Sequence, residues 1–415
     1  MTPLRFLARA SPRTVAFARP FSTNFVSRFP YKDSQDRESL RPRAQEGSRS
    51  TSDDDVANNP DAAFNPHKTR PETEMKAAEE SRGDGASPLE ASGANQSFNK
   101  PRGDEKSPHD RGLGKEPFID VQCGLGEGPY WERQANVLRF VDIVSGDVYR
   151  VNLSEGPSSL RKFKYDQIVT VTADIEGQPD SFIFGGKTGV GIAKKDSSDS
   201  RIITEFWSDE EKIDGKNERM RANDGGVDDQ GRFWVGTMCD PEVTEVKAMG
   251  AIFRIDLDGK LNRILSGLTC PNGMSWSKDG KHMHVTDTPT KAIHKYDFDQ
   301  VSGSLRNKST LYDIKHEGAM GADGHALDEE DNIWAALWGT GKVVRINPQG
   351  EVTAEVKVPV RTPTAVAFCG EDIYITSEKE PEPDKYPDSA KWSGMVFKCY
   401  VGVKRRELPL CKVKA

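Results

Sequence analysis

Four positions in this 415-residue chain carry side-chain oxygens in matching local settings: Glu127 in GEGP, Asn223 in RANDGG, Asn272 in CPNGM and Asp323 in GADGH. Two carboxylates and two amides brought to one place suit a hard divalent cation. Ca²⁺ is the first choice, with Mg²⁺, Mn²⁺ or Zn²⁺ possible, and the lack of Cys or His in the set weighs against a soft-metal centre. Singly, an Asn or Asp before glycine is the ordinary material of a turn. Glu127 between two glycines is not, because a carboxylate near a channel needs a partner or a metal.

Residues so far apart can converge only if the intervening segments repeat. From Pro117 onward, short apolar or alternating runs are punctuated by Gly, Asp and Asn, as in 128–153, 225–238, 272–299, 323–350 and 363–376. Asp229-Gln230-Gly231, Lys278-Asp279-Gly280 and Glu330-Asp331-Asn332 supply residues that tolerate positive φ between two strands, as hairpins require. Units begin near Glu127, Asp180, Asn223, Asn272, Asp323 and Thr364, at a spacing typical of propeller blades. The expected fold is therefore all-β, a six-bladed β-propeller over 117–415. The least regular unit is the second, around 180–196. The last segment, 392–403, either finishes the final blade or pairs with the first strand to close the ring. In a propeller the heads of the innermost strands meet at one end of the axial channel, which would gather the four positions.

Two zones precede the propeller. Residues 1–32 carry Arg5, Arg9, Arg13, Arg19, Arg28 and Lys32 with no acid, the composition of a mitochondrial transit peptide; a cytoplasmic location is the alternative. Residues 33–116 are polar and Pro/Gly-rich with few β-branched or aromatic side chains, and are expected to form a disordered linker. The formal net charge is −7, and the acidic body argues against nucleic acid as a partner. No apolar run is long enough for a membrane span. Six cysteines with no CxxC pair read as reduced, packed thiols. His282, His284 and His294 read as structural. The oligomeric state is not readable.

LGEGPYW, FVDIVSGDVYR, RANDGGVDDQGRFWVGTM, LTCPNGMSWS and GADGHALDEEDNIWAALW, in this order, resemble the hallmark blocks of the senescence marker protein (regucalcin)/gluconolactonase/LRE-like family of six-bladed propellers. The resemblance spans about 117–405. It implies Glu127, Asn272 and Asp323 as ligands of one divalent metal ion, Asn223 beside it as ligand or substrate contact, and Arg221 reaching substrate oxygens. It also implies hydrolysis of a small-molecule lactone. The cation would polarise the carbonyl and acidify a water, with Asp323, ahead of Glu127, as the base. After GTM, where the family often places a substrate-contacting Glu, this chain reads Cys239-Asp240-Pro241-Glu242, so Asp240 or Glu242 would take that role and the sugar does not transfer. The alternatives are a calcium-binding regulatory or scaffold propeller without turnover, or an esterase or phosphotriesterase on the same site.

Overall fold

A computed structural model of the protein describes residues 116–314, 318–407 and 410–414. The targeting reading of 1–32 and nearly all of the linker reading of 33–116 lie outside the described residues. Six antiparallel sheets follow one another along the chain. The first is β1 (Gly126–Glu132), β2 (Val137–Asp142), β3 (Asp147–Asn152) and β4 (Arg161–Lys164). The second is β5 (Thr172–Ile175), β6 (Gln178–Gly185), β7 (Gly189–Lys194) and β8 (Ser200–Glu205). Two short helices, α1 (Asp209–Ile213) and α2 (Lys216–Arg219), lead to the third: β9 (Met220–Val227), β10 (Phe233–Cys239), β11 (Gly250–Ile255) and β12 (Leu261–Leu268). The fourth is β13 (Pro271–Trp276), β14 (His282–Asp287), β15 (Ala292–Phe298) and β16 (Leu305–Asp313), and the fifth β17 (Gly321–Leu327), β18 (Ile333–Trp338), β19 (Lys342–Ile346) and β20 (Val352–Lys357). The sixth has three strands, β21 (Pro363–Cys369), β22 (Asp372–Ser377) and β23 (Phe397–Tyr400), with α3 (Pro387–Ala390) before the last. This is the expected six-bladed propeller.

The turn chemistry is as expected. Gly231, Gly280 and Asp331 take positive φ, at 85°, 66° and 69°, between the first and second strands of their blades. One boundary differs from expectation: the second blade begins at Thr172, and the stretch from Asp180 belongs to its second strand, β6. The inner strand TADI is only four residues long, too short to register as an alternating run.

Segment 392–403 finishes the sixth blade through β23. Ring closure falls to the start of the folded body, where the N–H groups of Phe118 and Ile119 both donate to Val396 O, at 2.8 and 3.1 Å. Aromatic and aliphatic side chains fill the spaces between blades; Trp234, Trp276 and Phe298 meet between the third and fourth. Asp228 and Asp328 anchor equivalent hairpins, each accepting from an indole N–H (Trp234, 2.8 Å; Trp334, 3.0 Å) and a guanidinium (Arg232, 2.6 Å; Arg345, 2.8 Å).

After β23 the chain crosses the face where the inner strands end. Arg405 bridges Asp328, Arg406 grips Asp229 at 2.8 Å, Cys411 bridges Ile175, and Lys412 N donates to Gly231 O. The strap touches the inner hairpins of the second, third and fifth blades, so one end of the axial channel is covered by the chain's own tail. No helix among the described residues is long and apolar enough to cross a membrane.

Candidate active site

The open end of the channel is built by a fault repeated in the inner strands. Pairing with the second strand slips between Glu127 and Tyr130 in β1, between Ala222 and Gly225 in β9, between Asn272 and Met274 in β13, and between Ala322 and His325 in β17. Such bulges bend a strand and re-aim its side chains, and here each lies at or beside an expected site residue. Two glycines show why the motifs read as they do. A Cβ on Gly128, whose φ is +52°, would stand 2.6 Å from Thr170 O, and one on Gly273 would stand 2.1 Å from His325 Nδ1. Asn272-Gly273 is thus strand, not turn; the glycine makes room for an imidazole from the next blade.

The expected residues are together and buried: Glu127, Arg221, Asn223, Asn272 and Asp323 are each less than a tenth exposed. A hydrogen-bonded chain ties three blades. Arg221 Nη1 donates to Asn223 Oδ1 (2.8 Å), Asn223 Nδ2 to Asn272 Oδ1 (2.8 Å), Asn272 Nδ2 to Thr288 Oγ1 (2.7 Å), and Thr288 Oγ1 to Ala322 O (2.8 Å). Each amide oxygen accepts one donor here and has capacity for a second contact, so both amides keep an oxygen to offer. Cys270 lies against the same network, 3.5 Å from Asn272 Nδ2 and 3.6 Å from Met238 Sδ, with its thiol pushed up to about 12 by burial.

Among the described residues no Lys or Arg forms an ion pair with the facing carboxylates, and the charge of Arg221 offsets only part of the repulsion on Glu127. Among the described residues Glu127 accepts only the Gly128 N–H, at 3.0 Å; burial first, then the charge of Asp224, pushes it up to about 8. Burial lifts Asp224 to about 6. Asp323 is held well above the usual carboxylate range by burial and by Glu127, Asp224 and Glu378. Glu378 is raised chiefly by burial and accepts the Trp338 indole N–H at 2.7 Å. Such mutual repulsion is what a bound cation would offset. Among the described residues no three His, Cys, Asp or Glu side chains close on one point, so a cation here would have to draw on the amide oxygens as well. The donor set, all hard oxygens, fits a divalent ion of the calcium or magnesium kind.

Arg221 stands at the edge. Burial pushes its guanidinium below the usual arginine range, and Nε lies 3.9 Å from Asp240 Oδ1. Of the two acids after GTM, Asp240 is buried and paired with Lys187, whereas Glu242 is exposed. His284 and His294 pack inside their blades, and burial pulls His284 down to about 4. Several contributors stand outside the recognisable sequence motifs. Lys187, Thr288 and Glu378 come from loops between second and third strands. Asp224 follows Asn223 directly, and His325 stands in the GADGH block itself, half-buried, with Nε2 2.8 Å from Ser275 Oγ.

The SMP-30/Gluconolactonase/LRE-like region matches residues 125–379. The chain belongs to that family. Its relatives include regucalcin of Bos taurus, 29% identical over 295 residues, covering 68% of this chain and 93% of that one. Pentonolactonase XacC of Haloferax volcanii is 29% identical over 262 residues, covering 62% and 83%. A solved luciferin-regenerating enzyme superposes with a TM-score of 0.62 at 28% identity, over 71% of this chain and 96% of that one. Its relatives thus bear the names of lactonases and of regucalcins.

Proposed function

We propose that this family member is a metal-dependent lactonase that opens a sugar-type lactone to its hydroxy acid. The observation that carries the reading is the group of carboxylates, Glu127 and Asp323 buried and Asp224 half-buried, which no Lys or Arg among the described residues pairs, beside a guanidinium with donors to spare. The lactonase name of a relative supports the substrate class. A divalent ion held by Glu127, Asn272 and Asp323, with Asn223 alongside, would supply Lewis-acid polarisation of the carbonyl and a more acidic water.

The chain's own residues do the rest. Asp323, set where the ion would be held, is the carboxylate placed to take the water proton. The water oxygen bonds to the acyl carbon, the ring C–O bond breaks, and the proton passes to the departing alkoxide. Arg221 has Nη1 committed to Ala222 O and Asn223 Oδ1, which leaves Nη2 to meet the developing oxyanion. A purely structural ion needs no such cation beside it, and this favours turnover over a scaffold role.

The test is hydrolysis of a sugar-lactone panel with and without chelator, paired with calorimetric ion titration. Asp323→Ala should weaken ion binding and lower turnover together, by about 10²–10⁴-fold. Arg221→Ala should leave the ion bound while kcat/KM falls by about 2–4 kcal/mol. Wild-type protein that binds one ion yet hydrolyses no lactone or ester would overturn the enzyme reading and support an ion-binding propeller.

A further inference from the structure

Beneath the carboxylates the inner strands enclose a cavity of about 990 Å³. Asp224 and Gly324 lie on its wall at the open end and the tail strap bounds the other; Glu127, Arg221, Asn272 and Asp323 are not on its wall. The cations that line it are paired, with one exception. Arg150 and Lys195 hold Glu132 at 2.8 and 3.1 Å, Arg133 meets Glu407, Arg406 grips Asp229, and Lys404 lies 3.8 Å from Glu371. Arg405 has no side-chain hydrogen bond and no ion pair among the described residues. It is only partly exposed, and its guanidinium is pushed below the usual arginine range by burial, with only the Tyr130 hydroxyl and the Cys369 thiol as offsetting neighbours. Both of those groups are themselves held protonated by burial. Trp276 contributes to the wall, and its indole N–H, buried where the ring packs against Trp234 and Phe298, has no partner among the described residues.

A guanidinium drawn from water with no counter-charge is costly, and its backbone is fixed in place by the bridge to Asp328. We propose that this lower cavity binds a small organic carboxylate, received by Arg405. One uncompensated positive charge matches one negative charge, and the planar fork of a guanidinium matches the two oxygens of a carboxylate. A dianion such as phosphate would bring a second charge with no cation to meet it, into a space already facing Asp224. The volume suits a small molecule, and Met274, Leu327 and Val366 on the wall offer apolar surface to its carbon body. The inference does not depend on hydrolysis at the other end.

The experiment titrates butyrate and inorganic phosphate separately into chelator-treated full-length protein, read by calorimetry and by the Trp276 indole N–H resonance. Butyrate should bind one to one and shift that resonance. Arg405→Met should weaken binding roughly ten-fold or more, Arg405→Lys should retain part of it, and Arg221→Ala should leave it unchanged. Phosphate should neither bind with measurable heat nor move the indole signal. The proposal is overturned if butyrate gives no heat at millimolar concentration, if Arg405→Met binds as wild type does, if Arg221→Ala abolishes binding, or if phosphate shifts Trp276 more than butyrate does. Should Arg405→Met fail to fold, as a melting curve would show, Arg405→Lys and the wild-type indole shift still decide.

Discussion

Glu127 and Glu132 stand five residues apart in β1, both buried, one at each end of the axial channel, and their surroundings are opposite. At the open end Glu127 meets other acids and is pushed up to about 8. At the strapped end burial would raise Glu132 too, but Arg139, Arg150 and Lys195 outweigh it and hold the carboxyl at about 2. Arg139 lies between the rings of Tyr130 and Phe182, its centre 4.7 and 4.5 Å from their centroids, and bonds Glu132 at 2.7 Å and Asp174 at 3.0 Å. One end of the strand is electrostatically complete without help and the other is not. The difference separates a self-neutralising ion cluster from a group of acids that repel one another, a distinction that burial alone would not make.

The largest effect expected from breaking this contrast lies at the strapped end. Glu132→Gln keeps the shape but strips the charge shared by two buried cations, Arg139 and Lys195, and the half-buried Arg150, and breaking a buried ionic network from one side costs about 3–5 kcal/mol. Urea unfolding should show that loss whether or not divalent ion is present. A variant as stable as wild type would mean that the cluster is solvated in solution and the contrast does not hold.

Acid should sharpen the contrast by a somewhat smaller amount. His284 is held neutral inside β14, pulled down to about 4 by burial and by the nearby charges of His282 and Lys295. A depressed folded-state value means that the unfolded chain binds the proton more readily, so the contribution is complete above the ordinary histidine value of about 6.5 and is lost as pH falls toward 4. Glu132 acts in the same sense, complete above about 4.5 and lost toward 2. The carboxylates at the open end titrate in the opposite sense. The clean measurement is therefore the difference between His284→Asn and wild type, which cancels them. That difference should shrink by about 2–3 kcal/mol between pH 7 and pH 4. A difference independent of pH would show that His284 titrates as if exposed.

Much of this architecture is legible in the sequence because its signals are local. A glycine at positive φ, an Asp that gathers its own hairpin's indole, and an acid or amide at a strand head are all set within a few residues, and Asp229-Gln230-Gly231 illustrates it. What escapes is assembled from separate blades. Glu132 and Arg139 sit on two strands and Lys195 in the bend that follows a third, and they read as ordinary charges until the sheets pack. Thr288 and Glu378 enter the site from loops whose sequences look like any connection. The misplaced start of the second blade has the same origin, since Thr172–Ile175 is recognisable as an inner strand only beside β1 and β9. His325 is different, because its cause is visible only from Gly273, fifty-two residues earlier in the chain and in the neighbouring blade.

The smallest effect is the most discriminating, because it reverses the sign of the first. Glu127→Gln is the same isosteric change in the same strand as Glu132→Gln, but here it removes a charge that is desolvated and opposed by Asp224. In chelator-treated protein the substitution should stabilise the fold by about 1–2 kcal/mol, the amount commonly recovered when a residue kept for function is replaced by a compatible one. For a body of this size that is a rise in Tm of a few degrees. Saturating Ca²⁺ should raise the Tm of wild type by ligand linkage and raise that of Glu127→Gln less, because one ligand charge is gone. The two melting curves should therefore cross as ion is added. If Glu127→Gln melts below wild type in chelator, the open end is not self-repelling, Glu127 has a stabilising partner in solution, and its place in an ion-holding set loses its physical basis.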